Sequence, residues 1–133
     1  MLKGIAHIAF VVSDMDKSLH FYSNILGFKK IYELPDDSGN PWLIYLKVRD
    51  GQFIELFYGG ERRYTNANAA GFEHYCFEVD DIYEMSNLLE KNGVLDVKPN
   101  QGKDYNFQCW AKDPDGNRIE FMQIDSRSPQ NNC

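Results

Sequence analysis

One phrase occurs twice in this chain. Asp50-Gly51-Gln52-Phe53-Ile54-Glu55 and Asp115-Gly116-Asn117-Arg118-Ile119-Glu120 carry Asp, Gly, Ile and Glu at the same places without a gap. Asp-Gly signals a turn, because Gly accepts the positive φ that tight turns need. The residues that follow read as a short strand, and in each copy a carboxylate sits among apolar neighbours. Such a carboxylate needs a cation, a metal or hydrogen-bond donors. A second phrase repeats upstream: His7-x-x-Phe10-x-Val12-x-Asp14 matches His74-x-x-Phe77-x-Val79-x-Asp81. From His to Glu the spacing is 48 residues in the first copy and 46 in the second. Repetition in this order implies two copies of one supersecondary unit.

The stretches between these phrases define the unit. Ile5 to Val12 reads as a strand, with His7, Ala9 and Val11 on one face and Ile8, Phe10 and Val12 on the other. Ser13 or Asp14 caps a helix running to about Leu26. Its apolar spacing is Met15, Leu19, Tyr22 and Leu26, and Gly27 stops it. Strands follow at Lys29 to Leu34, Trp42 to Val48 and Phe53 to Tyr58, the first two joined by a Pro- and Gly-containing loop. The order is β-α-β-β-β. It restarts with a strand from Phe72 to Val79 and a helix capped by Asp80 or Asp81, carrying Ile82, Met85, Leu88 and Leu89. Asn92-Gly93 ends that helix. Val94 to Val97 is a weak strand, Pro99 to Lys103 a loop, and Tyr105 to Lys112 and Arg118 to Ile124 are strands. We therefore expect an α+β fold built of two βαβββ modules. Residues 1–60 form the first module, 61–70 a connector, 71–125 the second module and 126–133 a flexible tail.

Composition narrows the function. With 43% hydrophobic and 14% aromatic residues the chain is globular in character. A net charge of -6 and a pI near 5.0 argue against a nucleic-acid partner, which needs a basic face. No apolar run has the length of a membrane span, and the N-terminus does not read as a signal peptide. Cys76, Cys109 and Cys133 are odd in number and widely spaced, which fits a reducing, cytoplasmic setting. Cys76 and Cys109 read as core fillers.

The chemistry lies in His7, Glu55, His74 and Glu120. Taken singly, a strand histidine is more often a hydrogen-bonded core residue, and Glu55 could pair with Arg49 or Arg118. Their matched positions point instead to one divalent-metal site of two imidazoles and two carboxylates. Such donors suit Ni, Co or Zn, with Fe or Mn as further candidates. His20 has no counterpart in the second half and is expected at the surface. Strand alternation sets Glu73 opposite to His74 and Glu78, leaving Glu78 in reserve for the site face.

Four stretches carry a resemblance: Ile5-Ala6-His7-Ile8-Ala9, His20 to Phe28, Gly71-Phe72-Glu73-His74, and Asp113 to Glu120. Together they resemble the vicinal oxygen chelate superfamily, which includes glyoxalase I, methylmalonyl-CoA epimerase, extradiol dioxygenases and the fosfomycin and bleomycin resistance proteins. The resemblance spans Ile5 to about Ile124 and implies paired βαβββ modules forming an open, curved (half-barrel) mixed sheet around a metal site. A His-Glu-His-Glu set is most similar to glyoxalase I, whose short bacterial form uses nickel or cobalt. The resemblance also implies a homodimer, in some relatives with a metal site shared between chains. It departs in one place: where that enzyme holds glutathione with an Arg and an Asn, this chain has Val11 and Gly59.

The expectation is a metal-dependent lyase or isomerase acting on a small vicinal-oxygen substrate, a hemithioacetal or an α-hydroxycarbonyl, through an enediolate. Glu55 or Glu120 moves a proton between adjacent carbons. Arg62, Arg63 and Lys103 are loop cations that could grip an anion. Two other classes compete. One is a non-catalytic binding or resistance protein with a cleft lined by Trp42, Tyr45, Tyr105, Phe107 and Trp110. The other is an Fe(II) ring-cleaving dioxygenase, which needs two His and one carboxylate.

Overall fold

The computed structural model describes residues 1–61 and 70–133. The chain divides into two compact units, Met1–Thr65 and Asn66–Cys133. The division falls inside the stretch read as the connector. Arg62 and Arg63 lie outside the described residues.

The first unit runs β1 (His7–Val11), α1 (Met15–Leu19), a π-helical turn (His20–Ile25), β2 (Lys29–Pro35), β3 (Pro41–Arg49) and β4 (Gln52–Phe57). Its sheet has the order β1-β4-β3-β2, with β1 parallel to β4 and the other pairs antiparallel. The second unit runs β5 (Tyr75–Glu78), α2 (Ile82–Lys91), β6 (Leu95–Gln101), β7 (Phe107–Lys112) and β8 (Arg118–Gln123), then a short 3₁₀ helix (Pro129–Asn131). Its sheet repeats the scheme as β5-β8-β7-β6, with β5 parallel to β8. The α+β repeat read from the sequence is the architecture found, as two open four-stranded mixed sheets.

One face of each sheet makes the core. In the first unit Ile44, Leu46, Ile54 and Leu56 are at most 1% exposed, and Phe21, Tyr22 and Ile25 from the helical segment are buried too. Burying each such aliphatic side chain contributes about 1.5–3 kcal/mol, an upper estimate. In the second unit Ile82 and Leu89 of α2 are fully buried, as are Cys109, Ala111 and Ile119. Both helices start where their aspartates cap them. The Asp14 carboxylate accepts from Lys17 N, and that of Asp81 from Tyr83 N and Glu84 N.

Some elements depart from the expected ones. The first helix widens after Leu19 into the π-helical turn, where Leu26 N donates to Phe21 O. Phe21 and Ile25 are buried there, whereas Leu26 is only partly covered. In α2 the buried stripe is Ile82, Ser86 and Leu89, while Leu88 is exposed. β6 extends through Pro99 to Gln101, with shifts of register between Leu95 and Val97 and between Val97 and Asn100, the second spanning Pro99; such irregularity is how a strand tolerates proline. The terminal segment read as a loose tail has defined structure: Ser128 is fully buried, and Asn106 Nδ2 donates to Gln130 Oε1 at 2.7 Å. No helix among the described residues is long and apolar enough to cross a membrane.

A turn motif positions both sheets. Asp36-Asp37-Ser38-Gly39-Asn40 joins β2 to β3, and Asp113-Pro114-Asp115-Gly116-Asn117 joins β7 to β8. In each, the aspartate carboxylate accepts from the backbone two and four residues on and from the Asn side-chain amide. The glycine adopts φ of +85° or +87°, a conformation strained for any side chain.

Candidate functional site

Register places the site residues. β1 lies beside β4 with Ala9 opposite Glu55, and Glu55 lies opposite Tyr45 of β3. His7, two residues before Ala9, shares the Glu55 face by strand alternation. Its Nε2 stands 3.5 Å from Glu55 Oε2. The ring of Tyr45 meets His7 edge-on at 6.2 Å and stacks on Tyr32 at 4.6 Å.

The second unit builds the same set. Cys76 lies opposite Glu120, and Glu120 opposite Trp110. His74 Nε2 stands 3.2 Å from Glu120 Oε2, and the Trp110 ring meets His74 edge-on at 4.8 Å. Each unit therefore carries a His, a Glu and an aromatic ring. The aromatic precedes the glutamate by ten residues in both halves, Tyr45 before Glu55 and Trp110 before Glu120. That equal offset was present in the sequence and marks both rings as site neighbours.

The four predicted ligands thus stand as two pairs, His7 with Glu55 and His74 with Glu120. Among the described residues no three His, Cys, Asp or Glu side chains form one cluster able to hold a metal ion. Within each pair the two donor atoms are about as far apart as two ligands of one divalent cation. Donors about 2.1 Å from a shared ion stand about 3.0–3.4 Å apart at ordinary ligand angles, which brackets one pair and nearly reaches the other. Both carboxylates are withdrawn from water, at 8% residual exposure each, where an uncompensated negative charge is costly.

Other expectations are corrected here. Cys76 is exposed and not a core filler, because β5 turns Tyr75 and Phe77 toward the core and Cys76 and Glu78 away from it. Its thiol is pushed up to about 12, first by partial withdrawal from solvent and then by the Glu120 charge. Cys109 is buried as expected, and burial raises it to about 11. Glu73 does not point away from His74. β5 begins only at Tyr75, so strand alternation does not govern residues 73 and 74. The Glu73 carboxylate instead meets His74 Nδ1 with one oxygen and Arg118 Nη1 with the other. His74 first, and Arg118 after it, hold Glu73 below the usual carboxylate range. Glu55 pairs with His7 and Arg118 with Glu73, so neither arginine proposed for Glu55 is its ion-pair partner. His20 is exposed, as expected, and so is Lys103 in its loop. Of the five aromatics proposed for a cleft, Tyr45 and Trp110 lie on the ligand faces, whereas Phe107 is in register with Gln123 on the opposite face.

Comparisons with known proteins agree with this fold. The family model described as the Glyoxalase/Bleomycin resistance protein/Dioxygenase superfamily matches residues 4–121. The chain belongs to that superfamily. It is 32% identical over 129 residues to a probable lactoylglutathione lyase of Synechocystis sp., covering 92% of this chain and 97% of the relative. It is 30% identical over 126 residues to a lactoylglutathione lyase of Haemophilus influenzae, covering 90% and 91%. Among solved structures, a glyoxalase family protein from Enterococcus faecalis is similar at a TM-score of 0.75 and 27% identity, covering 91% of this chain and 98% of that one.

Proposed function

We propose that this protein is a divalent-metal-dependent lyase or isomerase of the glyoxalase I type. The observation that carries this reading is the duplicated His–Glu pair, each with donor atoms at a separation suited to one cation and a carboxylate withdrawn from water. His7, Glu55, His74 and Glu120 would together hold one ion, with nickel, cobalt or zinc as the best match to imidazole and carboxylate donors. When bound, the ion supplies electrophilic polarisation of two neighbouring substrate oxygens. The names of the lactoylglutathione lyase relatives support the reaction class.

The proton is moved by the chain itself. Glu120 or Glu55 takes a proton from the carbon that bears the hydroxyl and returns it to the adjacent carbonyl carbon, while the hydroxyl proton passes to the former carbonyl oxygen, so the carboxylate ends as it began. The substrate is a small vicinal-oxygen compound, a hemithioacetal or an α-hydroxycarbonyl. Val11 is 61% exposed and in register with Phe57, and it gives a substrate carboxylate no cation to pair with. We also propose that the protein works in the cytoplasm, the reducing setting that its odd, widely spaced cysteines fit, and that it does so as a homodimer, as the family resemblance implies.

The test is turnover of hemithioacetals made from glutathione and from a small neutral thiol. Activity should vanish with a chelator and return with nickel, cobalt or zinc. Glu120→Gln or Glu55→Gln should lower kcat at least about 100-fold, the usual scale for losing a general base. Full activity in both variants would defeat the proposal. Ligand binding that survives chelation without turnover would point to sequestration instead.

A further inference from the structure

The residue before the site histidine differs between the halves: Ala6 in the first, Glu73 in the second. The Glu73 carboxylate meets Nδ1 of His74. A carboxylate in an ion pair with Arg118 only accepts, so Nδ1 must carry the proton. In a neutral ring Nε2 is then a bare lone pair, and it faces the Glu120 carboxylate at 3.2 Å. Two acceptors that close repel unless a positive charge stands between them.

Arg118 is itself held in place. Its guanidinium lies over the Trp110 ring at 4.4 Å, and the same ring meets His74 edge-on. Glu73, Arg118 and Trp110 therefore form a linked set that ends on one imidazole. Ala6 offers His7 no acceptor of this kind, so nothing on that neighbour selects the tautomer of His7.

We propose that Glu73, braced by Arg118, is a positioning residue that fixes His74 as its Nδ1–H tautomer and so commits Nε2 to the metal ion. The second unit then provides the tighter-holding of the two pairs. This rests on the reading of His74 and Glu120 as ligands.

Nitrogen-15 NMR of the imidazoles in metal-free protein near pH 8.5, with a cobalt titration alongside, tests it. Wild-type His74 should show the Nδ1–H tautomer. Glu73→Gln should keep it, because the amide oxygen still accepts, while Glu73→Ala should give a mixture. His7 serves as the internal control and should be unchanged in all three proteins. Cobalt affinity should fall about tenfold in Glu73→Ala, the low end for losing such a partner because the Glu73 side chain is 60% exposed, and less in Glu73→Gln. An Nε2–H tautomer in the wild type, or an unchanged His74 in Glu73→Ala, would overturn the positioning role. Wild-type protein with the Nδ1–H tautomer that binds no cobalt would instead overturn the ligand reading on which the metal half of the proposal stands.

Discussion

Asp36 and Asp113 make the same turn in two settings, which isolates what burial adds to a hydrogen-bonded carboxylate. Asp113 is 5% exposed and accepts from Asp115 N, Asn117 N and Asn117 Nδ2 at 2.8–3.0 Å. Asp36 makes the equivalent bonds in the open, and the Asn40 backbone amide foremost holds its carboxyl below the usual range. Removing a buried acceptor leaves donors unpaired away from water, whereas water replaces an exposed one. Asp113→Ala should therefore lower stability by about 2–3 kcal/mol, and Asp36→Ala should lower it distinctly less. Urea unfolding midpoints at constant m-value would measure both. Equal losses would show that the turn, and not its burial, sets the energy. The same scale explains what could be read about the ligands. Duplication marked His7, Glu55, His74 and Glu120, because each position had a partner in the other half. Glu73 and Cys76 have no such echo, since Ala6 and Ala9 stand in their places. Their roles depend on where β5 begins and which face it presents.

At the scale of elements, strands were legible where alternation was strict and helices where an aspartate capped them. β1 shows the expected split, with His7, Ala9 and Val11 exposed and Ile8 and Phe10 partly covered. The π-helical turn was not legible, because Met15, Leu19, Tyr22 and Leu26 match a regular helix equally well until packing chooses Phe21 and Ile25. The terminal segment was misread because its composition is polar; what orders it is a set of local and medium-range bonds. Asp125 N donates to Asn106 Oδ1, and the Asp125 carboxylate takes Arg127 Nε and Nη2 at 2.8 and 3.0 Å. The Arg127 side chain, then its backbone amide, lowers Asp125 to about 2 from an ordinary 3.8. A carboxylate lowered on folding adds stability that is complete above its unfolded pKa and is lost as pH falls through the folded one. The stability lead of wild type over Asp125→Asn should thus hold from pH 7 to about 4 and shrink between about 4 and 2. Thermal melts across that range would show it. A constant lead down to pH 2 would mean that the Asp125–Arg127 pair contributes nothing in solution.

For the whole molecule, duplication is the organising fact. One βαβββ unit supplies an imidazole, a carboxylate and an adjoining aromatic ring, and the chain contains that unit twice. A single pair offers two donors, fewer than the three or four that a stable divalent site in a protein ordinarily has. In the function proposed above, one ion would take all four donors and still have places for two substrate oxygens. The measurement that tests this most directly is metal content by elemental analysis, on protein purified without added metal, for the wild type and for His7→Ala and His74→Ala. The account predicts one divalent ion per chain in the wild type and its loss in both variants. Two ions per chain, or one ion kept when either histidine is removed, would contradict it.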